Sequence, residues 1–217
     1  MTTQQEWIKH FKGTNRNIFN RCISSKMLIE LIIENTPKGG RLLEAGCGSA
    51  LLSLILADYG FQVTALDLTE DILEYARSRM YLNNVQVNFV QGDILKLSSM
   101  FEKEYFDATY HSGVMEHFND ADIIRSLSEQ RIVSKKVIFS VPNSRTRVSP
   151  RLFGDERLMN NKKWMGLIRA AGFKEVKLFG GSDLPKITYF VLPNVFFIKR
   201  GSFWWKWFSR HSIFVCE

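Results

Sequence analysis

Cysteine is scarce. Cys22, Cys47 and Cys216 are the three in 217 residues, scattered and without a CxxC pair, which argues against a disulfide framework and against a zinc site. No run of about 18 uncharged apolar residues occurs, so no spanning helix is expected. The opening stretch, MTTQQEWIKHFKG, is polar and lacks the apolar core of a secretory leader; a cytoplasmic location is the expectation. Internal repeats and low-complexity tracts are absent as well, and with them any sign of a second independent domain. What is there is ordinary for a globular chain: 45% hydrophobic and 24% charged residues, in a length that suffices for one domain with a sizeable core. The net charge of +7 permits an anionic partner, but a solvated basic surface accounts for it more simply.

Apolar runs and helical patterns alternate from Arg41 onward. RLLEAG is a short strand ending in glycine. SALLSLILADYG has helical spacing and stops at Gly60, where glycine can close a helix. QVTALDL, VQVNFVQGD, FDATYHS, KKVIFSVPN, KEVKLFGG and SIFVCE read as further strands. DILEYARSRMYL, DADIIRSLSEQRIV and NKKWMGLIRAAGF read as the helices between them, with Thr69 a candidate N-cap and Glu70 and Asp71 suited to the first turn. This alternation predicts an α/β fold: a doubly wound, mostly parallel seven-stranded sheet with helices on both faces. Its ligand belongs at the carboxyl ends of the strands, near the switch point, an edge that gathers Glu44, Gly46, Asp67, Asp93 and His111. Residues 1–38 predict two amphipathic helices, one with Trp7, Ile8 and Phe11 on its apolar face, the other with Ile23, Met27 and Leu31. They are either a cap over the cleft or packing on the sheet.

Gly46-Cys47-Gly48, between a strand and a helix, is half of a dinucleotide fingerprint, and Asp67 stands where a ribose-binding acid belongs. The third glycine position is Leu51. Charge separates the readings further. A pyrophosphate at this turn would meet Glu44 as a like charge, whereas a ligand with a cationic amine and a sulfonium would be attracted to it. Asp67 can accept from a ribose diol, and Asp93 from an adenine amino group. Three acids on one cleft suit S-adenosylmethionine better than NAD.

LLEAGCGSA, VTALDLTEDILEYAR, VQGDIL and FDATYHSGVMEHF resemble, in order and spacing, the successive motifs of class I S-adenosylmethionine-dependent methyltransferases. The resemblance implies a Rossmann-like fold whose last strand is antiparallel. It implies that Glu44, with Gly46, Cys47 and Gly48, holds the methionine part of the cofactor, that Asp67 binds the ribose with Leu68 packed on adenine, and that Asp93 and Ile94 recognise adenine. It places His111 along the methionine portion and the substrate channel. Ala50 stands where the family often has a third glycine, and its small side chain is expected to be tolerated.

Methyl transfer depends on alignment, and a base is needed only where the acceptor keeps its proton. His117 and His111 are the candidate catalytic residues. Their H-x4-E-H spacing with Glu116 matches no metal pattern, and no metal is expected. YHSG replaces the (Asp/Asn/Ser)-Pro-Pro-aromatic motif of enzymes that methylate exocyclic base nitrogens, and no cysteine stands near the fourth or fifth strand for pyrimidine C5 chemistry. A small, hydrophobic or aromatic acceptor is therefore the leading expectation, with S-adenosylhomocysteine as the second product. An RNA or protein acceptor, an NAD-dependent oxidoreductase and a non-catalytic cofactor-binding protein are the alternatives. Arg145, Arg147 and Arg151 form a basic stretch after the fifth strand. The aromatic segment 182–210 carries Trp204, Trp205 and Trp207 among cations, and is expected to serve as a lid or dimer surface packed on the core, an apolar pocket wall or, through 189–208, a peripheral membrane contact; nucleic acid ranks last.

Overall fold

The structure, a computed structural model, describes residues 3–13, 18–80, 85–144, 155–181, 209 and 211–217. The aromatic stretch of 182–208 and Arg145, Arg147 and Arg151 lie outside these residues. Helices α1 (Gln4–Gly13) and α2 (Ile18–Asn35) lead into β1 (Arg41–Ala45), α3 (Leu51–Asp58), β2 (Gln62–Asp67), α4 (Glu70–Arg77) and β3 (Val87–Gln91). A 3-10 helix, Ile94–Ser99, precedes β4 (Ala108–Ser112), and another, Met115–His117, follows it. Then come α5 (Asp120–Val133), β5 (Val137–Pro142), α6 (Asn161–Ala170), β6 (Val176–Gly180) and β7 (His211–Cys216).

The strands form one sheet in the order β3-β2-β1-β4-β5-β7-β6. β1 pairs parallel with both β2 and β4, and the order reverses between β1 and β4, which is the switch point. β7 runs antiparallel between β5 and β6. Because side chains alternate along a strand, each strand serves two cores. Leu42, Tyr110, Ile138, Ile213 and Val215 meet α2 and α3 on one face; Leu43, Val137, Phe139 and Phe214 meet α5 and α6 on the other.

The two N-terminal helices do different things. α2 packs on the sheet: Met27, Leu28, Leu31 and Ile32 are all buried in the α2–α3 core, each worth about 1.5–3 kcal/mol of burial. The stripe is wider than the Met27–Leu31 spacing suggests. Helix α1 instead brings Trp7 edge-on to His117, with ring centres 5.2 Å apart.

Helix α4 is shorter than its pattern, which runs on toward residue 82. It ends at Arg77, where the Ser78 hydroxyl donates to the Tyr75 carbonyl at 2.6 Å and closes the turn. Thr69 takes the N-cap position, but its side chain makes no capping bond. Asn119 and Asn160 cap α5 and α6 in full, each side chain accepting from an N–H of the first turn.

Candidate active site

The carboxyl ends of β1, β2, β3 and β4 lie side by side, with Ala45 level with Leu66 and Asp67 level with Gln91. After β1 the chain turns back sharply. Gly46 and Cys47 both donate to the Leu66 carbonyl, at 2.8 and 2.9 Å, which pins the turn to β2. Gly46 has φ of 77°, and a Cβ there would stand 2.9 Å from Val114 Cγ2, so only glycine fits. Gly48 is left-handed as well, with φ of 51°. Ala50, at φ 50° and ψ 24°, takes the same conformation just before α3. Its small side chain fits the buried space, but the backbone is one that glycine adopts more easily, and the strain costs about 1–2 kcal/mol.

Two carboxylates brace this turn from either side. Glu44 is buried, and its Oε2 accepts from the Ser53 N–H at 3.0 Å, the Ser53 hydroxyl at 2.5 Å and the Tyr110 hydroxyl at 3.4 Å. The acid thus sits against the first turn of α3, where unpaired N–H groups and the helix dipole favour negative charge. Asp67 closes β2. Its Oδ2 accepts from the Gly48 N–H at 2.9 Å and its Oδ1 from Thr69 at 3.4 Å. Burial raises the Asp67 carboxyl above the usual range, while the N–H bonds from Gly48, Thr69 and Leu68 pull the other way. Burial, then Glu44 and Asp67, push the Cys47 thiol well up, so it is no nucleophile.

Beside Asp67, the Leu68 side chain is 55% exposed, an apolar platform at the edge of the cleft. Asp93 follows β3 and caps the Ile94–Ser99 helix, its side chain accepting from Leu95 N–H at 2.9 Å; Ile94 beside it is buried. The cap and the binding reading of Asp93 therefore fall on one residue.

Gly113, left-handed at φ 77°, carries the chain out of β4 and into the Met115–His117 turn. The His117 Nδ1 lies 2.8 Å from Asp155 Oδ1. That bond, with Trp7 against the ring, gathers α1, the β4 turn and the segment before α6 at one point. The segment is tied down further by Arg157, which donates to the Phe118 carbonyl at 2.7 Å and to Asp120, and by Lys163, also bonded to Asp120.

His111 does not join this group. Tyr110 points to the α2–α3 face, so His111 points to the other, where its fully buried ring stacks on Phe139 at 4.9 Å. Neither ring nitrogen has a hydrogen-bond partner among the described residues, and burial pushes its pKa down to about 3. The His111 imidazole is therefore neutral and packed in the core on that face of the sheet.

Ser53, Tyr110, Asp155 and Trp7 are the partners that sequence reasoning did not pair with the site. A serine three residues into α3 is a faint signal for Ser53. Nothing in the spacing joins Asp155 to His117, 38 residues apart. Among the described residues, no group of three His, Cys, Asp or Glu is placed to hold a metal ion. Also among them, no helix is long and apolar enough to cross a membrane.

The chemistry of the donor set fits an adenosyl ligand with a cationic tail: acids for a ribose diol and an amine, an apolar platform beside them, and a glycine turn open to close approach. Comparison with known proteins agrees. Residues 42–136 match the methyltransferase domain family. A ubiquinone biosynthesis O-methyltransferase of Xanthomonas axonopodis pv. citri (strain 306) is 33% identical over 108 residues, 49% of this chain and 45% of that protein. One from Rickettsia akari (strain Hartford) is 36% identical over 76 residues, 35% of this chain and 29% of that protein. The chain thus spans less than half the length of the curated relatives it matches. A SAM-dependent methyltransferase from Archaeoglobus fulgidus superposes with a TM-score of 0.68 at 15% identity, covering 99% of each chain, which shows the shared fold. The sheet order, the acid-flanked glycine turn and the matched domain are those that the chain shares with the class I S-adenosylmethionine-dependent methyltransferases, the family it resembles.

Proposed function

We propose that the protein transfers the methyl group of S-adenosylmethionine to a small hydrophobic or aromatic acceptor, at a hydroxyl group. The observation that carries this reading is the packing of two turns. Val114, just before the turn that bears His117, fills the space beside Gly46, so the segment that carries a candidate acceptor-side residue packs on the glycine turn. The hydroxyl is suggested by the relatives named O-methyltransferases.

In this reading Asp67 accepts from the ribose diol, Leu68 packs on adenine, and Asp93 and Ile94 meet its edge. Glu44, Gly46, Cys47 and Gly48 shape the space for the methionine part. Bound there, the sulfonium supplies an activated methyl group. The protein's own task is then alignment and exclusion of water. His117 faces the acceptor with its ring fixed by Asp155, and Trp7 of α1 covers it.

The test is transfer of labelled methyl from S-adenosylmethionine to small phenols of increasing apolar size. Labelled ether is expected, and His117→Ala should cut turnover about tenfold or more with cofactor affinity unchanged. Label found only in RNA or protein would move the acceptor to a macromolecule. Cofactor binding without any transfer would make the chain a non-catalytic binder.

A further inference from the structure

The turn after β4 carries one more group. Glu116 is 4% exposed, and its Oε2 is buried without a hydrogen-bond partner among the described residues. Its backbone is fixed, the carbonyl accepting from the Arg157 N–H at 2.8 Å. Its Oε1 faces the bend at Gly113, 3.6 Å from where a Cβ would stand. The charges that act on Glu116 are Glu156 and Asp155, from the segment before α6. Asp155 also acts on Glu6 of α1. Among the described residues, the guanidinium of Arg157 is committed elsewhere, to Phe118 and Asp120. An unpaired carboxylate in such a place is costly. Burial first, then Glu156 and Asp155, push the Glu116 carboxyl up to about 8, so it holds its proton near neutral pH.

Two things join this group to the cofactor. Val114, two residues earlier, occupies the space beside Gly46, so the turn bearing Glu116 packs directly on the glycine turn. Methyl transfer also removes a charge from that region, since a cationic sulfonium becomes a neutral thioether. A buried carboxyl with no hydrogen-bonded cation among the described residues is sensitive to that change.

We propose that Glu116 receives the acceptor's proton, and that the sulfonium charge sets its state: ionised with S-adenosylmethionine, protonated with S-adenosylhomocysteine. The step balances. The acceptor oxygen's lone pair forms the C–O bond, the C–S electron pair stays on sulfur, and the O–H proton passes to the Glu116 carboxylate. One positive and one negative charge vanish together. The inference rests on the cofactor placement proposed above.

Calorimetric titration in buffers of different ionisation enthalpy tests it without any acceptor. At pH near 7, S-adenosylmethionine should release about one proton more than S-adenosylhomocysteine. Glu116→Gln keeps the shape and should lose that excess, whereas any proton from the ligand's own amine would persist in both proteins. Equal excess in wild type and variant overturns the proposal. The wild type alone gives a second measure. Its affinity ratio for the two ligands, S-adenosylmethionine over S-adenosylhomocysteine, should rise about tenfold between roughly pH 6 and 7.5. A flat ratio overturns the proposal as well. Binding of neither ligand would instead remove the cofactor placement.

Discussion

His111 and Tyr110 are neighbours on β4 with opposite fates. Tyr110 joins Glu44 and Ser53, and His111 is sealed against Phe139. Position at the end of a strand was legible from the alternation of apolar runs; the face was not, because it depends on which helices cover which side. The acids were legible for a different reason: Glu44 and Asp67 are charges at the ends of apolar runs, where solvent or ligand must meet them. The buried imidazole has a consequence for stability. Its folded pKa of about 3 lies below its ordinary value of 6.5, so the unfolded chain binds the proton more readily. The stability His111 allows is therefore present above about pH 6.5 and is lost as pH falls toward 3. His111→Phe should remove this acid-sensitive contribution, gaining on the order of 2 kcal/mol relative to wild type near pH 5, as read by thermal melts. Identical acid limbs for the two proteins would show that the ring finds a partner. Weaker S-adenosylmethionine binding by the variant would place His111 at the site.

Among the elements, the glycine turn and its helix were the most readable, because strand, glycine pair and apolar helix follow without interruption. The detail beyond that rests on tertiary contacts. Ala50 takes a left-handed backbone that its small size alone does not foretell, and α4 ends at Arg77, short of its pattern. The helices before β1 share an amphipathic pattern, yet α2 is a core element and α1 reaches His117; what each one meets decides the difference. Two glycines allow a controlled comparison. Gly46 and Gly60 are both left-handed, at φ of 77° and 92°, but a Cβ on Gly46 would stand 2.9 Å from Val114 and one on Gly60 would touch nothing within 4 Å. Gly60→Ala should cost only backbone strain, about 1 kcal/mol, and leave cofactor affinity intact. Gly46→Ala should weaken S-adenosylmethionine binding at least about tenfold, because the turn must shift away from Val114. Equal affinities for the two variants, measured by calorimetry, would show that the turn is not part of the site.

At the scale of the whole molecule, the sheet follows from the strand–helix alternation, which permits few topologies. The insertion of β7 between β5 and β6 belongs to the antiparallel pairing of Ile138 with Val215 and Lys177 with Val215, which no local pattern announces. The reversal of strand order at β1 and β4 opens the crevice, and the acids at its rim decide what enters. Glu44 and Asp67 flank a turn that in a dinucleotide protein would face a pyrophosphate, and Glu44 is locked there by Ser53 and Tyr110. That charge arrangement is the central claim, and parallel calorimetric titrations with S-adenosylmethionine, S-adenosylhomocysteine and NAD test it most directly. Binding of both adenosyl sulfur ligands, with no heat from NAD, is the expected result. Binding of NAD without either of the others would contradict the account.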